Sequence, residues 1–395
     1  MTYTIIDYFT RDFKHFLKVG ENMGRAGVIC EFNPFHNGHK FLLEKIKADS
    51  CNEIVCIMSG NFVQRGDIAI TDKYTRAKTA LQNGADIVVE LPTVYAVSPA
   101  PIFARSGVQL AYELNCDTLC FGAESNLSDL EETLDALDRN DTQEEIAARI
   151  QSGTYYPRAV SEALGKNYSE IISQPNNILA IEYIRACREF GLQPVAIPRK
   201  GAAHDSELTV GTIASASKIR SLILSGENYS AYTPMTVKTV YTFENNDRIP
   251  VFLLKTMKPE ETEKIAGVTE GINNRLYKCA QQYNTLDEIL SAAKTKRYTM
   301  ARLRRIALSV CLNITQELQE RPVPYVRVLG IKQGKSHLIK SRTLPLLVDV
   351  KRGYEQLDQT AKEVFDIDIK ATDLMNCRQT PGYPLNEFQY GIIKV

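Results

Sequence analysis

The sequence has no excess of charge of either sign, since 47 Lys and Arg residues balance 47 Asp and Glu residues. A neutral chain has no overall field that attracts nucleic acid, so any nucleic-acid surface would have to come from a local patch. Low-complexity segments and internal repeats are also missing. The length of 395 residues is nevertheless enough for two or three domains.

Paired cysteines and long apolar runs are absent as well. The nine cysteines are scattered and form no CxxC pair, which argues against a disulfide framework or a zinc ribbon and fits a reducing cytosol. No apolar run approaches the roughly 20 residues of a membrane span, so we expect a cytoplasmic protein with no membrane partner. We expect no signal peptide, because charges at Asp7, Arg11 and Asp12 interrupt the apolar residues near the start of the sequence. We expect residues 1–22 to be a leader outside the fold.

Strand and helix patterns alternate along the first third of the chain. Mostly apolar strands are predicted over 28–32, 53–58, 86–91 and 117–121, with helices between them. This alternation predicts an α/β fold of the Rossmann-like type with a parallel sheet. Ligand-binding groups of such a sheet gather just after the strand ends, because the carboxyl ends of parallel strands share one edge.

The pattern changes after the fourth strand. Residues 126–191 are mainly helical, and we interpret them as an insertion, since strand character returns at 193–197. We expect one domain over 23–226, including this insertion, and a mainly helical region over 227–395, in which 326–331 forms a strand.

The turn between the first strand and the first helix carries two histidines, His36 and His39, around Asn37 and Gly38. A helix that begins there would offer unpaired N–H groups and the positive end of its dipole to an anion. A flanking imidazole would add a charge-assisted hydrogen bond. Ordinary polar histidines or metal ligands are the alternative, although the pair lacks the Glu and the i, i+4 spacing of the HExxH motif.

A second candidate phosphate site lies farther along the chain. Ser215 and Ser217 can cap a helix whose first turn contains Lys218 and Arg220, which would place hydroxyls, N–H groups and a guanidinium around one point. Arg199 follows the strand at 193–197 and so falls where the other ligand segments fall. Taken alone, each of these signals is weak.

Basic residues crowd a predicted helix in the C-terminal half. We interpret this cluster as a surface for the phosphate backbone of RNA, because clustered cations give salt-dependent and sequence-independent affinity. A solvated helix face is the alternative. The residues of the cluster are Lys294, Lys296, Arg297, Arg302, Arg304 and Arg305.

The segment HNGH at 36–39 resembles the HxGH signature of the nucleotidyltransferase superfamily, which binds ATP or CTP for attack on the α-phosphate with release of pyrophosphate. The Ser-rich segment that ends in Ile219 and Arg220 resembles the second signature, which holds the β- and γ-phosphates. The segments EFNPFHNGH, SGNFVQRG, QPNNILAIEYI, SASKIRSLI and TKRYTMARLRRI look like the bacterial tRNA(Met) cytidine acetate ligase family. The resemblance extends from Gly24 to about Ile331.

That family resemblance implies a set of site residues. His36 and His39 would be catalytic and would contact the phosphates, with His39 stabilising transition-state charge, while Ser217 and Arg220 would hold the leaving pyrophosphate. Spacing does not decide which of the two adjacent asparagines turns inward. The implied ATP-contacting residues are Ile29, Cys30, Glu31, Phe32, Asn33, Pro34, Phe35, His36, Asn37, Gly38, His39, Lys40, Phe41, Leu42, Gly122, Asn176, Asn177, Arg199, Lys200, Ser217 and Arg220.

The resemblance also implies two chemical steps. Acetate would attack ATP to give acetyl-adenylate, and the acetyl group would then pass to N4 of the wobble cytidine, at position 34, of elongator tRNA(Met). We expect Mg²⁺ with ATP but no dedicated protein metal site, and no coenzyme A, because acetyl-adenylate is already activated. A small-molecule nucleotidyltransferase and a non-catalytic nucleotide- or RNA-binding protein are the alternatives. The sequence does not indicate the oligomeric state.

Overall fold

The structure, a computed structural model, describes residues 24–49, 51, 53–199, 209–243, 247–377 and 385–395. The predicted leader at 1–22 lies outside these ranges. The strands are β1 (Arg25–Cys30), β2 (Glu53–Ser59), β3 (Ile87–Leu91), β4 (Thr118–Ala123), β5 (Gln193–Pro198), β6 (Thr209–Val210), β7 (Ile213–Ala214), β8 (Val326–Ile331), β9 (Leu346–Leu347) and β10 (Ile393–Lys394).

Eight of the described strands form one sheet. Its strand order is β10-β8-β3-β2-β1-β4-β5, with β9 also paired to β8, while β6 and β7 form a separate hairpin. Strands β1 to β5 run parallel, and β1 aligns with β2 from Arg25 opposite Glu53 to Cys30 opposite Met58. Strand β8 lies antiparallel to β3, so the sheet is mostly parallel but mixed. The predicted Rossmann-like α/β class is confirmed.

Helices cover both faces of the sheet. They are α1 (Asn37–Ala48), α2 (Lys73–Gln82), α3 (Thr93–Ala96), α4 (Ala100–Glu113), α5 (Leu127–Asp138), α6 (Asn140–Gln151), α7 (Tyr156–Ile172), α8 (Pro175–Phe190), α9 (Ala216–Ser225), α10 (Arg248–Thr256), α11 (Ile272–Ala280), α12 (Leu286–Ala293), α13 (Met300–Leu312), α14 (Gln316–Glu320), α15 (Val350–Gln356) and α16 (Gln359–Asn376). None of those in the described ranges combines the length and apolar character needed to cross a membrane.

Strand β1 lies between two apolar layers. Val28 and Cys30 pack with helices α1 and α2 on one face, because alternate side chains of a strand point to opposite faces. On the other face, α4 approaches closely through two glycines. A Cβ on Gly27 would lie 2.9 Å from Ala111 Cβ, and a Cβ on Gly107 would lie 2.5 Å from Ile29 Cδ1. This close approach fixes the end of β1, where the candidate site begins.

The predicted helical insertion is confirmed, since α5 to α8 lie between β4 and β5. Helices α10 to α13 form an apolar cluster of their own after residue 247. The chain then returns to the sheet as β8, β9 and β10, and so the sheet contains residues from both sides of the boundary expected at 226 and 227. That domain boundary itself stays a prediction.

Four charged side chains lie in the interior, each about 1% exposed. Lys73 Nζ contacts Glu90 Oε1 at 2.7 Å and Glu387 Oε1 at 2.8 Å. Arg327 contacts the same two carboxylates, with 2.9 Å from its Nη1 to Glu90 Oε2. The two cations and two anions balance, and they connect α2, β3 and β8 with the C-terminal residues.

We expect Glu387→Ala to lower the free energy of unfolding by about 3–5 kcal/mol, because it leaves two buried cations with one carboxylate. Urea denaturation measures this loss. The matched control is Glu189→Ala, which removes an exposed pair with Arg105 and should cost at most about 1 kcal/mol. A similar loss in both variants would contradict the role of the buried cluster.

The same cluster predicts a pH dependence. Burial alone would raise the pKa of Glu387, but Lys73 and Arg327 outweigh it and lower the pKa from 4.5 to about 2. The stabilisation is therefore complete above pH 4.5 and is lost as the pH falls towards 2. The difference in unfolding free energy between wild type and Glu387→Ala should shrink over that window.

Candidate functional site

A cavity of about 560 Å³ opens at the carboxyl edge of the sheet. The ends of β1, β4 and β5 line it, together with the first turns of α1, α8, α9 and α13 and a loop over 63–67. This is the edge at which a parallel sheet binds ligands. The segments expected after the ends of β1, β4 and β5 therefore meet in one cavity.

The turn from β1 to α1 fixes both histidine rings through backbone hydrogen bonds. His36 is the N-cap of α1, and its Nδ1 accepts from Gly38 N–H at 3.1 Å. His39 Nδ1 accepts from His36 N–H at 3.2 Å. The two rings stack with centroids 3.7 Å apart. Because Nδ1 is an acceptor in each neutral ring, the proton of each ring lies on Nε2.

Both imidazoles are neutral at physiological pH. Burial, followed by Arg199 and Arg220, lowers the pKa of His36 to about 3. Burial, followed by His36 and Arg199, also lowers the pKa of His39 well below its usual value. The expected charge-assisted hydrogen bond is thus corrected, because the rings offer neutral Nε2–H donors and the two nearby arginines supply the positive charge.

Gly38 and Asn37 have different roles in the same turn. A Cβ on Gly38 would lie 2.9 Å from His36 Cε1, so only glycine leaves the ring in place. Asn37 Nδ2 donates to the carbonyl oxygens of Thr212 at 2.8 Å and Ala231 at 3.0 Å. The amide therefore connects α1 to the segments on either side of α9.

The first turn of α9 meets the β1–α1 turn. Ser215 Oγ caps α9 by accepting from Lys218 N–H at 3.1 Å, and it lies 3.0 Å from Ser217 Oγ. Arg220 Nη1 donates to the carbonyl oxygen of Asn33 at 2.9 Å. Ser217 and Arg220 both line the cavity. The amino ends of α1 and α9 therefore reach the same cavity, and both ends attract anions.

The opposite wall contains Gly122, Asn176 and Arg199. A Cβ on Gly122 would lie 3.3 Å from Arg199 Cγ, so the glycine leaves room for that side chain. Arg199 Nη1 is 3.4 Å from Asn176 Oδ1, and Asn176 Nδ2 donates to Glu124. A guanidinium and an amide thus lie together at the ends of β4 and β5.

The adjacent Asn177 is fully buried and serves the fold. Its Oδ1 accepts from the N–H groups of Glu124 at 3.0 Å and Ser125 at 3.1 Å, and its Nδ2 donates to Ser125 Oγ and to the carbonyl of Ile171. These bonds use the whole amide, and Asn177 does not line the cavity, so in this structure the side chain positions the β4 loop. The expected nucleotide contact of Asn177 stays a prediction.

Residues 29–42 also include both cavity-lining residues and residues that do not reach the cavity. Ten of them line the cavity: Ile29, Cys30, Glu31, Phe32, Asn33, His36, Gly38, His39, Phe41 and Leu42. The other four do not line the cavity, and their expected ATP contacts stay predictions. Phe35 is fully buried, Pro34 follows a cis peptide bond in the turn, Asn37 bonds to backbone and Lys40 points to solvent. Lys200 lies outside the described residues.

Comparison with known proteins gives the family. The family model described as HIGH Nucleotidyl Transferase matches residues 23–385. A tRNA(Met) cytidine acetate ligase from Alkaliphilus metalliredigens is 34% identical over 394 residues, covering 88% of this chain and 92% of its own. One from Thermoanaerobacter sp. is 36% identical over 383 residues, covering 89% and 94%. The chain belongs to the tRNA(Met) cytidine acetate ligase family, among the HIGH nucleotidyl transferases.

Solved structures agree with this assignment. The crystal structure of Thermotoga maritima TmcAL (apo, form I) superposes with a TM-score of 0.86 at 27% identity, covering 94% of this chain and 100% of that one. The same protein bound with alpha-thio ATP superposes with a TM-score of 0.85 at the same identity and coverage. The family resemblance seen in the sequence is thereby confirmed.

The sequence predicted that the basic cluster lies on one helix. The structure instead divides the cluster between a turn and a helix. Helix α12 ends at Ala293 and α13 begins at Met300. The hydroxyl of Thr295 accepts from the N–H groups of Arg297 and Tyr298, and that of Thr299 caps α13, so hydroxyl groups make the break. The exposed members of the cluster are Lys294, Lys296 and Arg297.

The remaining three cations make internal contacts. Arg302 Nη2 donates to Thr269 Oγ1 at 2.5 Å. Arg304 Nη1 lies 3.5 Å from Asp67 Oδ2 and lines the cavity. Arg305 Nη1 donates to the carbonyl of Gln64 at 3.3 Å, and burial lowers its pKa to about 10. The cluster therefore extends from an exposed turn to the cavity wall.

Sequence reasoning missed Arg76, which is fully buried beneath the site. Its guanidinium donates to the carbonyls of Glu31 at 2.7 Å and Ser59 at 3.0 Å, and also to those of Gly60 and Thr71. One available signal was its neighbourhood, since Tyr74, Ala77 and Ala80 lie on the buried face of the same helix.

We expect the histidine signals of His36 and His39 to show no titration between pH 5 and pH 8, because burial keeps both rings neutral. NMR of protein labelled at histidine Cε1 measures this, with His36→Gln and His39→Gln assigning the signals. A midpoint near the ordinary value of 6.5 at either buried ring would contradict the neutral site.

Proposed function

We propose that this protein is an ATP-dependent tRNA(Met) cytidine acetate ligase. In the proposed reaction, acetate and ATP form acetyl-adenylate, and the acetyl group passes to N4 of the wobble cytidine of elongator tRNA(Met). The observation that carries the proposal is the convergence of the amino ends of α1 and α9 on one cavity with four side chains, in a chain of this family. These side chains are the imidazoles of His36 and His39 and the guanidinium groups of Arg199 and Arg220.

In the first step, an acetate oxygen bonds to the α-phosphorus of ATP, and the bond from that phosphorus to the bridging oxygen breaks as pyrophosphate leaves. The Nε2–H groups of His36 and His39 donate to phosphate oxygens. Arg220, Ser217 and the amino end of α9 hold the pyrophosphate. Positioning and charge stabilisation supply most of the catalysis in such transfers.

Arg199 and Asn176 would then bind the nucleotide from the opposite wall, with Gly122 leaving the space. No group of three or more His, Cys, Asp or Glu side chains among the described residues is arranged to hold a metal ion. Mg²⁺ would therefore come with the phosphates of ATP, and no step is assigned to it.

In the second step, the tRNA supplies the nucleophile. The exposed turn at 294–297 would contact its phosphate backbone, since Lys294, Lys296 and Arg297 are all exposed there. Helix α13 follows that turn directly, and its residues Ala301 and Arg304 line the cavity. An RNA bound along this surface would therefore present a base to the site.

We expect pyrophosphate release from ATP to depend on acetate in the absence of tRNA, and His39→Ala to slow it by about 10²–10³-fold, because one donor to the transition state is lost. A coupled pyrophosphate assay measures both. His337→Ala, which changes an exposed histidine paired with Glu53, is the control. Release that is independent of acetate would identify another nucleophile and contradict the proposal.

We expect the double change Lys296→Ala and Arg297→Ala to weaken tRNA binding and to lower the slope of log affinity against log salt by about 2, because two phosphate contacts are lost. Acetyl-adenylate formation should be unchanged. The matched control removes the Lys-Arg doublet Lys351 and Arg352, which is also exposed. An equal loss of tRNA affinity in both double variants would mean that the affinity reflects overall positive charge and not a specific binding surface.

A further inference from the structure

One carboxylate in the cavity has an unused oxygen. Glu31 directly follows β1 and lines the cavity, and its Oε1 accepts from the N–H group of Gln64 at 2.7 Å. Within the described ranges, no hydrogen bond or ion pair is made by Oε2. The Glu31 backbone is fixed as well, because its carbonyl accepts from the buried Arg76 at 2.7 Å.

Among the described residues, the other acidic side chain that lines the cavity is Asp67, and it is already engaged. Asp67 Oδ1 accepts from the N–H group of Ile68 at 3.0 Å, and Asp67 Oδ2 lies 3.5 Å from Arg304 Nη1. Both oxygens of Asp67 therefore have partners. Of these two described carboxylates, Glu31 is the one with an oxygen available to a bound molecule.

Glu31 also lies between the two halves of the proposed reaction. The turn that follows it carries His36 and His39, where the acetyl-adenylate would form. Its partner Gln64 contacts α13, because the Gln64 carbonyl accepts from Arg305 Nη1 at 3.3 Å. The loop over 63–67 packs on the backbone of α13, where a Cβ on Gly66 would lie 2.5 Å from Arg305 N.

We propose that Glu31 accepts the proton released when the cytidine amine attacks the acetyl group. This inference rests on the proposed function. The exocyclic amine is a weak nucleophile, because its lone pair is delocalised into the ring, so a positioned base assists it. The N4 lone pair forms the C–N bond, the bond from the carbonyl carbon to the phosphate oxygen breaks with its electrons on AMP, and one N4 proton passes to the Glu31 carboxylate.

The surroundings of Glu31 suit a base. Burial raises the pKa of the carboxyl above its ordinary value, while the Gln64 N–H group and the guanidinium groups of Arg220, Arg65 and Arg76 oppose that rise. Two further titratable groups, Cys30 and Tyr183, face it and stay neutral, because burial raises the pKa of both. The basic form of Glu31 is populated above its raised pKa, so acetyl transfer should slow as the pH falls through it.

Glu31→Gln tests the proposal, because the amide oxygen can still accept from Gln64 N–H while the basic oxygen is lost. In single-turnover experiments with wild-type tRNA, we expect pyrophosphate release to continue and acetyl transfer to slow by about 10²-fold or more. The tRNA affinity should not change, and the acid limb of the transfer rate seen in wild type should disappear. Glu189→Gln, which alters an exposed carboxylate outside the cavity lining, should transfer acetyl within a few-fold of wild type.

The results that would contradict the Glu31 proposal differ from the result that would contradict the proposed function. Transfer by Glu31→Gln at the wild-type rate would overturn the proposal and would indicate the departing phosphate as the proton acceptor. Equal loss of pyrophosphate release and transfer would also overturn it, since Glu31 would then serve the first step. Absence of acetate-dependent pyrophosphate release in the wild-type protein would defeat the proposed function itself.

Discussion

A buried guanidinium determines the shape of the site. Where β1 and β2 end, their backbone carbonyls leave the sheet and need donors, since unpaired buried carbonyls are costly. Arg76 supplies them to Glu31, Ser59, Gly60 and Thr71 at once. Burial lowers the pKa of Arg76 to about 10, so the group is still charged at neutral pH. The segments that follow β1 and β2 therefore share a single charged donor.

Asn33 makes a second connection between segments of the site. Its side-chain oxygen accepts from the N–H group of Ile70 at 2.8 Å, and its carbonyl accepts from Arg220 at 2.9 Å. Three segments that are distant in sequence are thus held at fixed positions before any substrate binds. A transition state of phosphoryl transfer gains most from donors that are already oriented, and these hydrogen bonds orient the donors of α1 and α9.

Local patterns predicted the parts of this site that depend on local physics. The strand-to-helix turn at 33–39 and the Ser215 cap were predictable, because spacing and capping residues act over a few positions. The antiparallel return of β8, the inward turn of Asn176 in place of Asn177, and the neutrality of both histidines were not. Each depends on burial or on partners more than 20 residues away, such as Glu124 for Asn176 and Arg199 for His36.

The two steps of the proposed reaction need different partners but share one loop. The backbone N–H group of Gln64 donates to Glu31 in the cavity, and its carbonyl accepts from Arg305 on α13. The side-chain Nε2 of Gln64 also donates to the carbonyl of Ser98 at 3.0 Å. Gly66 fits against α13 without a side chain, so a shift of that helix would be transmitted to the loop. Close packing transmits such displacements because interiors are nearly incompressible. The position of the helix that follows the proposed RNA-binding turn is therefore mechanically connected to Glu31, the carboxylate proposed to accept the proton of the amine.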